Sequence, residues 1–245
     1  MGGEGRMIPA GISLLGTLSE ETLNERAAKL LHPAELGDAG AYRSLIRRQS
    51  YLHGRIAAKS AISKVFPGID PVSLQIINGS FGEPILKNLS EPYGISIAHG
   101  EDWNAGLCFP LAMPMGIDAE TVSEKNNSII PAVLSAREKA VCGHEPDPLL
   151  FMHILWTLKE AAGKAIGLGF RVPHEWYETE AVEAEMHEGK IMYHCSFKHL
   201  NLFAGLSVSI PGGLISLVFP AGKGIDSLIY SLLHDTKIKV DGTGS

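Results

Sequence analysis

The sequence predicts an α+β fold built as a pseudo-duplicate. Two subdomains are expected, each a long helix packed on a small antiparallel sheet, with the ligand site between the halves. Three observations predict this. Two long helical stretches, near 41–65 and 147–166, are each followed by short apolar runs that read as strands. Both runs of strands end in Phe-Pro, at Phe109-Pro110 and at Phe219-Pro220. The order of elements repeats, and Arg55 and Lys59 of the first long helix fall opposite Glu160 and Lys164 of the second at an offset of 105. The expected division is an N-terminal half over residues 1–113 and a C-terminal half over 114–245, with 237–245 as a flexible tail.

The elements follow in order. MIPAGISLLGTL reads as a strand, and Ser19 then opens a helix as N-cap, with Glu20 and Glu21 suiting the positive end of its dipole. His32-Pro33 ends that helix, because the residue before proline avoids helical angles. The long helix from about Ala41 to Val65 stops before Pro67-Gly68, and VSLQII, GISIA and AGLCF follow as strands. GIDAE, residues 116–120, opens the second half as another strand. Ser135-Ala-Arg-Glu138 has capping-box spacing. Asp147 and Pro148 start the second long helix as N-cap and first helical residue, and Gly167-Leu-Gly169 closes it. TEAVEAEMH, KIMYHCSF, LFAGLSVSI and LISLVFP read as the closing strands, and the last dozen residues as a frayed end.

Composition narrows the function. The chain has 245 residues, 45% of them hydrophobic and 20% charged, which fits a soluble globular protein with a real core. No apolar run reaches the roughly 18 residues of a membrane span. The N-terminus lacks a basic region followed by an apolar one, so no signal peptide is expected, nor a membrane. Three cysteines, Cys108, Cys142 and Cys195, lie far apart without a C-x-x-C pair, which disfavours zinc and disulfides and fits the reducing cytoplasm. The net charge of −6 disfavours nucleic acid. Its distribution is uneven: no acid lies between Asp38 and Asp70, where six basic residues stand, so the rest of the chain carries −12. A cationic patch on an acidic protein points to a small anionic ligand.

Four groups of residues could carry chemistry. Asp118 and Glu120 are two apart and share one face of an extended strand. A solvated strand end and a metal site are both open readings of the pair. Glu160 and Lys164 are four apart on a helix whose first half, LLFMHILW, is apolar almost all round. They read either as an i,i+4 ion pair or, because burying a charge demands a partner, as members of a buried site. Three carboxylates would form a hard-oxygen site suited to Mg2+, which completes its shell with water and phosphate. Arg43, Arg47, Arg55 and Lys59 recur at steps of four with Tyr51 in the gap. They are either a solvated face or a phosphate-binding stripe. Gly54 within that helix suggests close approach of another group. His99, ending GISIAH, is a further candidate beside the commoner reading of a structural histidine.

GIDAE followed by WTLKEAAGKAIGLG about forty residues later resembles the signature pair of the 4'-phosphopantetheinyl transferases of the surfactin/enterobactin type, in the holo-[acyl-carrier-protein] synthase superfamily. IRRQSYLHGRIAAKSAI resembles the Arg-rich helix of the enterobactin-like branch, FGEPIL its G-[KE]-P loop, and ISIAHG its Ser/Thr-His segment. The resemblance implies Mg2+-dependent transfer of the phosphopantetheine arm of coenzyme A to a serine of an acyl or peptidyl carrier protein, releasing 3',5'-ADP. It further implies that Asp118, Glu120 and Glu160 hold the metal. Glu160 would take the serine proton and Lys164 would neutralise the leaving phosphate. Arg47, Arg48, Arg55, His99 and Lys159 would bind coenzyme A. The chain departs from the pattern at Ala98, where Ser or Thr is usual, and at Phe81, where Lys is common. A cytoplasmic monomer is expected. Two other readings are carried: a Mg2+-dependent enzyme acting on another phosphorylated metabolite, and a non-catalytic binder of coenzyme A or carrier protein.

Overall fold

Packing in the computed structural model, which describes residues 9–126 and 129–241, divides the chain into two units: Met1–Pro114 with Gly222–Ser245, and Met115–Ala221. The mixture of helices with antiparallel sheets is the α+β class the pattern predicts.

The first unit opens with strand β1 (Gly11–Gly16). Helix α1 (Glu20–Leu30) is capped as expected, the Ser19 side chain accepting the Thr22 amide. His32-Pro33 ends α1 but also starts a helix that the sequence reading lacks, α2 (Pro33–Ala41). There His32 is the N-cap and Glu35 closes a capping box. Helix α3 (Leu45–Val65) begins four residues later than expected because the Ser44 side chain caps it. A hairpin of β2 (Gln75–Asn78) and β3 (Pro84–Lys87) follows. Then come β4 (Tyr93–His99) and β5 (Trp103–Pro110), which complete a sheet in the order β1-β5-β4. The apolar side of α3 lies on this sheet, with Ala58, Ala61 and Ile62 buried against Ile95 and Cys108.

The second unit opens with β6 (Gly116–Thr121). Short helices α4 (Ile130–Val133) and α5 (Ala136–Cys142) precede the long α6 (Pro148–Ala165). The capping box of Ser135 and Glu138 and the Asp147 N-cap are both present. Strands β7 (Thr179–His187), β8 (Lys190–Phe197), β9 (Phe203–Ile210) and β10 (Gly213–Pro220) form one sheet in the order β6-β10-β9-β8-β7. Leu158, Ala161, Ala162 and Ala165 of α6 are buried with Leu214 and Val218 of the sheet.

The C-terminal segment groups with the first unit, not with the second half to which the sequence reading gave it. Helix α7 (Asp226–Asp241) packs on β1, and Asp235 explains how: its Oδ2 accepts the Leu14 amide at 3.1 Å and lies 2.8 Å from Lys64 Nζ. A carboxylate thus satisfies an amide that the β1–β5 pairing leaves over. Of the expected tail, 237–241 continue α7 and 242–245 lie outside the described residues, as do residues 1–8 of the N-terminal stretch.

Three contacts occur in both units. A Cβ on Gly11, the first residue of β1, would strike Ala61 O, and one on Gly116, the first residue of β6, would strike Ala161 O. His53 Nε2 accepts the Leu18 amide while its Nδ1 lies 2.8 Å from Gln49 O. His153 Nε2 accepts the Ser123 amide while its Nδ1 lies 2.9 Å from Leu149 O. Glu35 pairs with Lys59 at 3.1 Å, and Glu138 pairs with Lys159 at 2.8 Å. These contacts set the long helices at an offset of 100, five less than the sequence reading assumed. Lys164 therefore matches Lys64, and Glu160 matches Ser60. By the Gly11 and Gly116 match, Asp118 falls opposite Ser13.

Gly116 is the one residue of GIDAE whose role is backbone contact alone. Without a side chain, β6 lies directly on the α6 backbone. We predict that Gly116→Ala costs about 1–3 kcal/mol, since α6 or β6 must shift. A fall in the urea midpoint with unchanged m-value checks this.

Candidate active site

The site candidates of the second unit sit where β6 lies on α6. Asp118 is buried and Glu120 half-buried on the strand, while Glu160 and Lys164 look out from the last turns of the helix. Lys164 Nζ is 2.8 Å from Asp118 Oδ1. The other oxygen, Asp118 Oδ2, is buried with no hydrogen-bond partner. Trp156, one turn before Glu160, donates its indole N–H to Glu120 Oε1 at 3.3 Å. Lys164 therefore pairs across elements with Asp118, and its charge also acts on Glu160 four residues back on the helix.

Burial and like charge act together here. Burial pushes the Asp118 carboxyl above the usual range, and Lys164 pulls it back down. Glu160 is pushed up to about 7, first by burial and then by the charges of Asp118 and Glu120, with Lys164 opposing. A carboxyl poised near neutrality can exchange a proton at working pH. The site's donors are all hard carboxylate oxygens, and Asp118 Oδ2 is a buried acceptor lacking a donor, so the residues fit a hard cation such as Mg2+. Among the described residues, no three acid, histidine or cysteine side chains converge at metal-ligand spacing.

Ala119, between the two acids, is fully buried at 1% exposure, so the three added carbons of Ala119→Ile would have no room.

In the first unit the basic stripe runs from water into the core. Arg43 and Arg47 are exposed, Tyr51 is half-buried, and Arg55 and Lys59 are buried. Arg55 donates to Asn78 Oδ1 at 2.8 Å, and its guanidinium stands 4.8 Å over the Tyr51 ring. Its Nε is buried 4.0 Å from Glu35 and makes no hydrogen bond. Arg48 donates to Asn24 Oδ1 at 2.8 Å. His99 ends β4, exposed, with Nδ1 3.4 Å from Asn104 Oδ1. The close approach that Gly54 signals is this histidine: a Cβ on Gly54 would strike the His99 ring and Ile97. Ala98 is fully buried, and Phe81 is 64% exposed at the tip of the β2–β3 hairpin.

Lys159 is the candidate that the structure redirects. It is fully buried, paired with Glu138, and donates to His174 O at 3.2 Å. Glu138 Oε1 in turn accepts the Thr179 amide and hydroxyl, and Oε2 accepts the Ser135 amide. This lysine ties α5, α6 and β7 together and has no open face for a ligand. Sequence reasoning found Glu138 as a cap and missed its partner, because capping spacing is local and the pair is not. The node of Glu35 and Lys59 was missed for the same reason. There Lys59 also donates to the carbonyls of Pro71 and Leu74, and Glu35 accepts the Ile76 amide.

Comparison with known proteins bears on the second unit. Residues 114–209 match the family model described as "4'-phosphopantetheinyl transferase superfamily". Among solved structures, a holo-(acyl-carrier-protein) synthase from Bacillus anthracis in complex with CoA (3',5'-ADP) is 24% identical, with a TM-score of 0.38, over 42% of this chain and 96% of that one. The holo-ACP-synthase of Plasmodium yoelii is 18% identical, TM-score 0.33, over 42% and 93%. The holo-[acyl-carrier-protein] synthase of Thermotoga maritima is 18% identical, TM-score 0.35, over 46% and 69%. No curated protein matches. The resemblance carried by GIDAE and WTLKEAAGKAIGLG is thus a match to the 4'-phosphopantetheinyl transferase superfamily, running from the acidic strand β6 through α6 into β9.

Proposed function

We propose that this chain is a Mg2+-dependent 4'-phosphopantetheinyl transferase of the surfactin/enterobactin type, acting on coenzyme A and an acyl or peptidyl carrier protein. One observation carries the reading: a buried Asp118 with an unpartnered oxygen, facing Lys164, beside a Glu160 raised to about 7. Asp118, Glu120 and Glu160 are the residues that would hold magnesium. Bound there, the ion would supply positive charge against the pyrophosphate.

The reaction asks for positioning and charge neutralisation more than covalent help. The serine Oγ attacks the phosphorus that carries the pantetheine arm. The new O–P bond forms as the bond to the bridging oxygen of 3',5'-ADP breaks. Glu160 accepts the serine proton, and Lys164 neutralises the departing phosphate. Arg47, Arg55 and His99 hold the coenzyme A phosphates, with Arg48 a weaker contributor because Asn24 already holds it. Lys159 positions Glu160 by fixing α6 through Glu138. The recurring glycine, histidine and Glu–Lys contacts support an ancestral duplication in which only the second copy carries the acids.

Calorimetry tests the binding half. Coenzyme A is expected to bind several-fold more tightly with Mg2+ than without, and Asp118→Asn removes that gain. Binding that ignores the metal in both proteins favours the non-catalytic binder.

A further inference from the structure

The segment from Ala41 to Arg47 is exposed at every residue. It places Tyr42 at 38%, Leu45 at 53% and Ile46 at 79% exposure, and Ile46 is the most exposed large apolar side chain among the described residues. Three such side chains within five positions at the start of one helix form a patch, unlike the isolated Phe81, Leu111, Leu202 and Tyr230. Arg43 and Arg47 stand among them, and neither has a carboxylate partner among the described residues. The nearest acids in sequence are Asp38 and Asp70. The other exposed apolar pair, Met186 and Ile191, lies on the β7–β8 hairpin beside Glu185 and Glu188. A cationic rim around an apolar centre selects an acidic partner that presents apolar side chains; an acidic rim repels it.

The patch is also joined to a proposed coenzyme A arginine. The Tyr42 ring lies 5.4 Å from that of Tyr51, and the Arg55 guanidinium stands 4.8 Å over Tyr51. Only two aromatic rings separate the exposed surface from Arg55.

We propose that Tyr42, Arg43, Leu45 and Ile46 form the docking surface for the carrier protein, received through an acidic, apolar-faced helix. This rests on the transferase reading. Ile46 is the apolar anchor at the centre, and Arg43 steers the approach. Arg47 is left to coenzyme A.

The test uses the full chain and a panel of excised acidic carrier domains. For Ile46→Glu, we expect the carrier KM to rise about tenfold or more, with coenzyme A affinity by calorimetry unchanged. Arg43→Glu should raise the carrier KM and flatten its dependence on salt. Both variants should keep the wild-type melting temperature, since neither side chain is buried. An unchanged carrier KM overturns the proposal, and so does a parallel loss of coenzyme A affinity. Direct binding of the carrier domain to the Glu160→Gln variant, with and without Ile46→Glu, separates docking from chemistry. If the wild type transfers nothing but this binding exists and depends on Ile46, the transferase reading fails and the docking surface stands. Carrier binding that ignores Ile46, or that is absent, sinks the docking surface alone.

Discussion

Lys159→Met is expected to destabilise the protein by about 3–5 kcal/mol. The reason is the carboxylate left behind. Glu138 is 2% exposed and accepts the amides of Ser135 and Thr179, so it cannot turn out to water when the ammonium is gone. Glu138→Gln removes the charge but keeps an acceptor. The double variant Glu138→Gln, Lys159→Met should therefore recover part of the loss. Urea unfolding of the four proteins as a double-mutant cycle measures the coupling. Additive losses would mean that the two residues do not act as one node. Lys59→Met in the first unit should behave in the same way, because Lys59 and Glu35 are both fully buried.

Glu160→Gln is expected to lower transfer by about 10²–10⁴-fold while stabilising the metal-free protein at alkaline pH. The two effects share one cause. The carboxyl rises from an ordinary 4.5 to about 7, so between those values the folded state binds more protons than the unfolded. Stability from this group is therefore greatest below pH 4.5 and is lost as pH rises through 7. Glutamine cannot ionise, so the variant should melt higher than wild type above pH 7, and the gap should close toward pH 4.5. Melting temperatures across pH in a chelator check the sign. A variant that melts lower than wild type at pH 8 would contradict the buried, charge-crowded site described for Glu160.

What the sequence revealed differs sharply between elements. The β6–α6 pair was legible because its signals are local: a capping Asp147, a helix that is apolar all round, and two motifs at fixed spacing. The same holds for the four closing strands, whose short stretches coincide with β7–β10 to within a residue at each end. Helix α2 was hidden because Pro33 reads as a stop, while the signal for a new start, His32 with Glu35, uses an uncommon capping residue. Helix α7 was missed although Leu228, Leu232 and Leu233 stand at helical spacing and are buried, because the Gly- and Ser-containing end beyond it reads as a frayed tail. The arginine stripe failed for a geometric reason. Arg43 lies before α3, and along the helix each step of four residues turns about 40° past a full circle, so the three steps from Arg47 to Lys59 rotate the stripe by about 120°. One end faces water and the other faces the core, and neither a solvated face nor a ligand-binding face describes the whole. Lys159 shows the limit of motif reasoning. A motif names the residue, but burial decides whether it meets a ligand or an internal carboxylate. Glu160 and Lys164, one and five residues on, turn to the other side of the same helix.

The central claim is that Glu160 and its neighbours move a phosphopantetheine arm. Intact-mass measurement of apo carrier domains, incubated with the protein, coenzyme A and Mg2+, tests it most directly. The account predicts a gain of one phosphopantetheine arm on the carrier serine, abolished by chelator and nearly lost with Glu160→Gln. No gain on any carrier, or a gain that Glu160→Gln leaves at the wild-type rate, would contradict it.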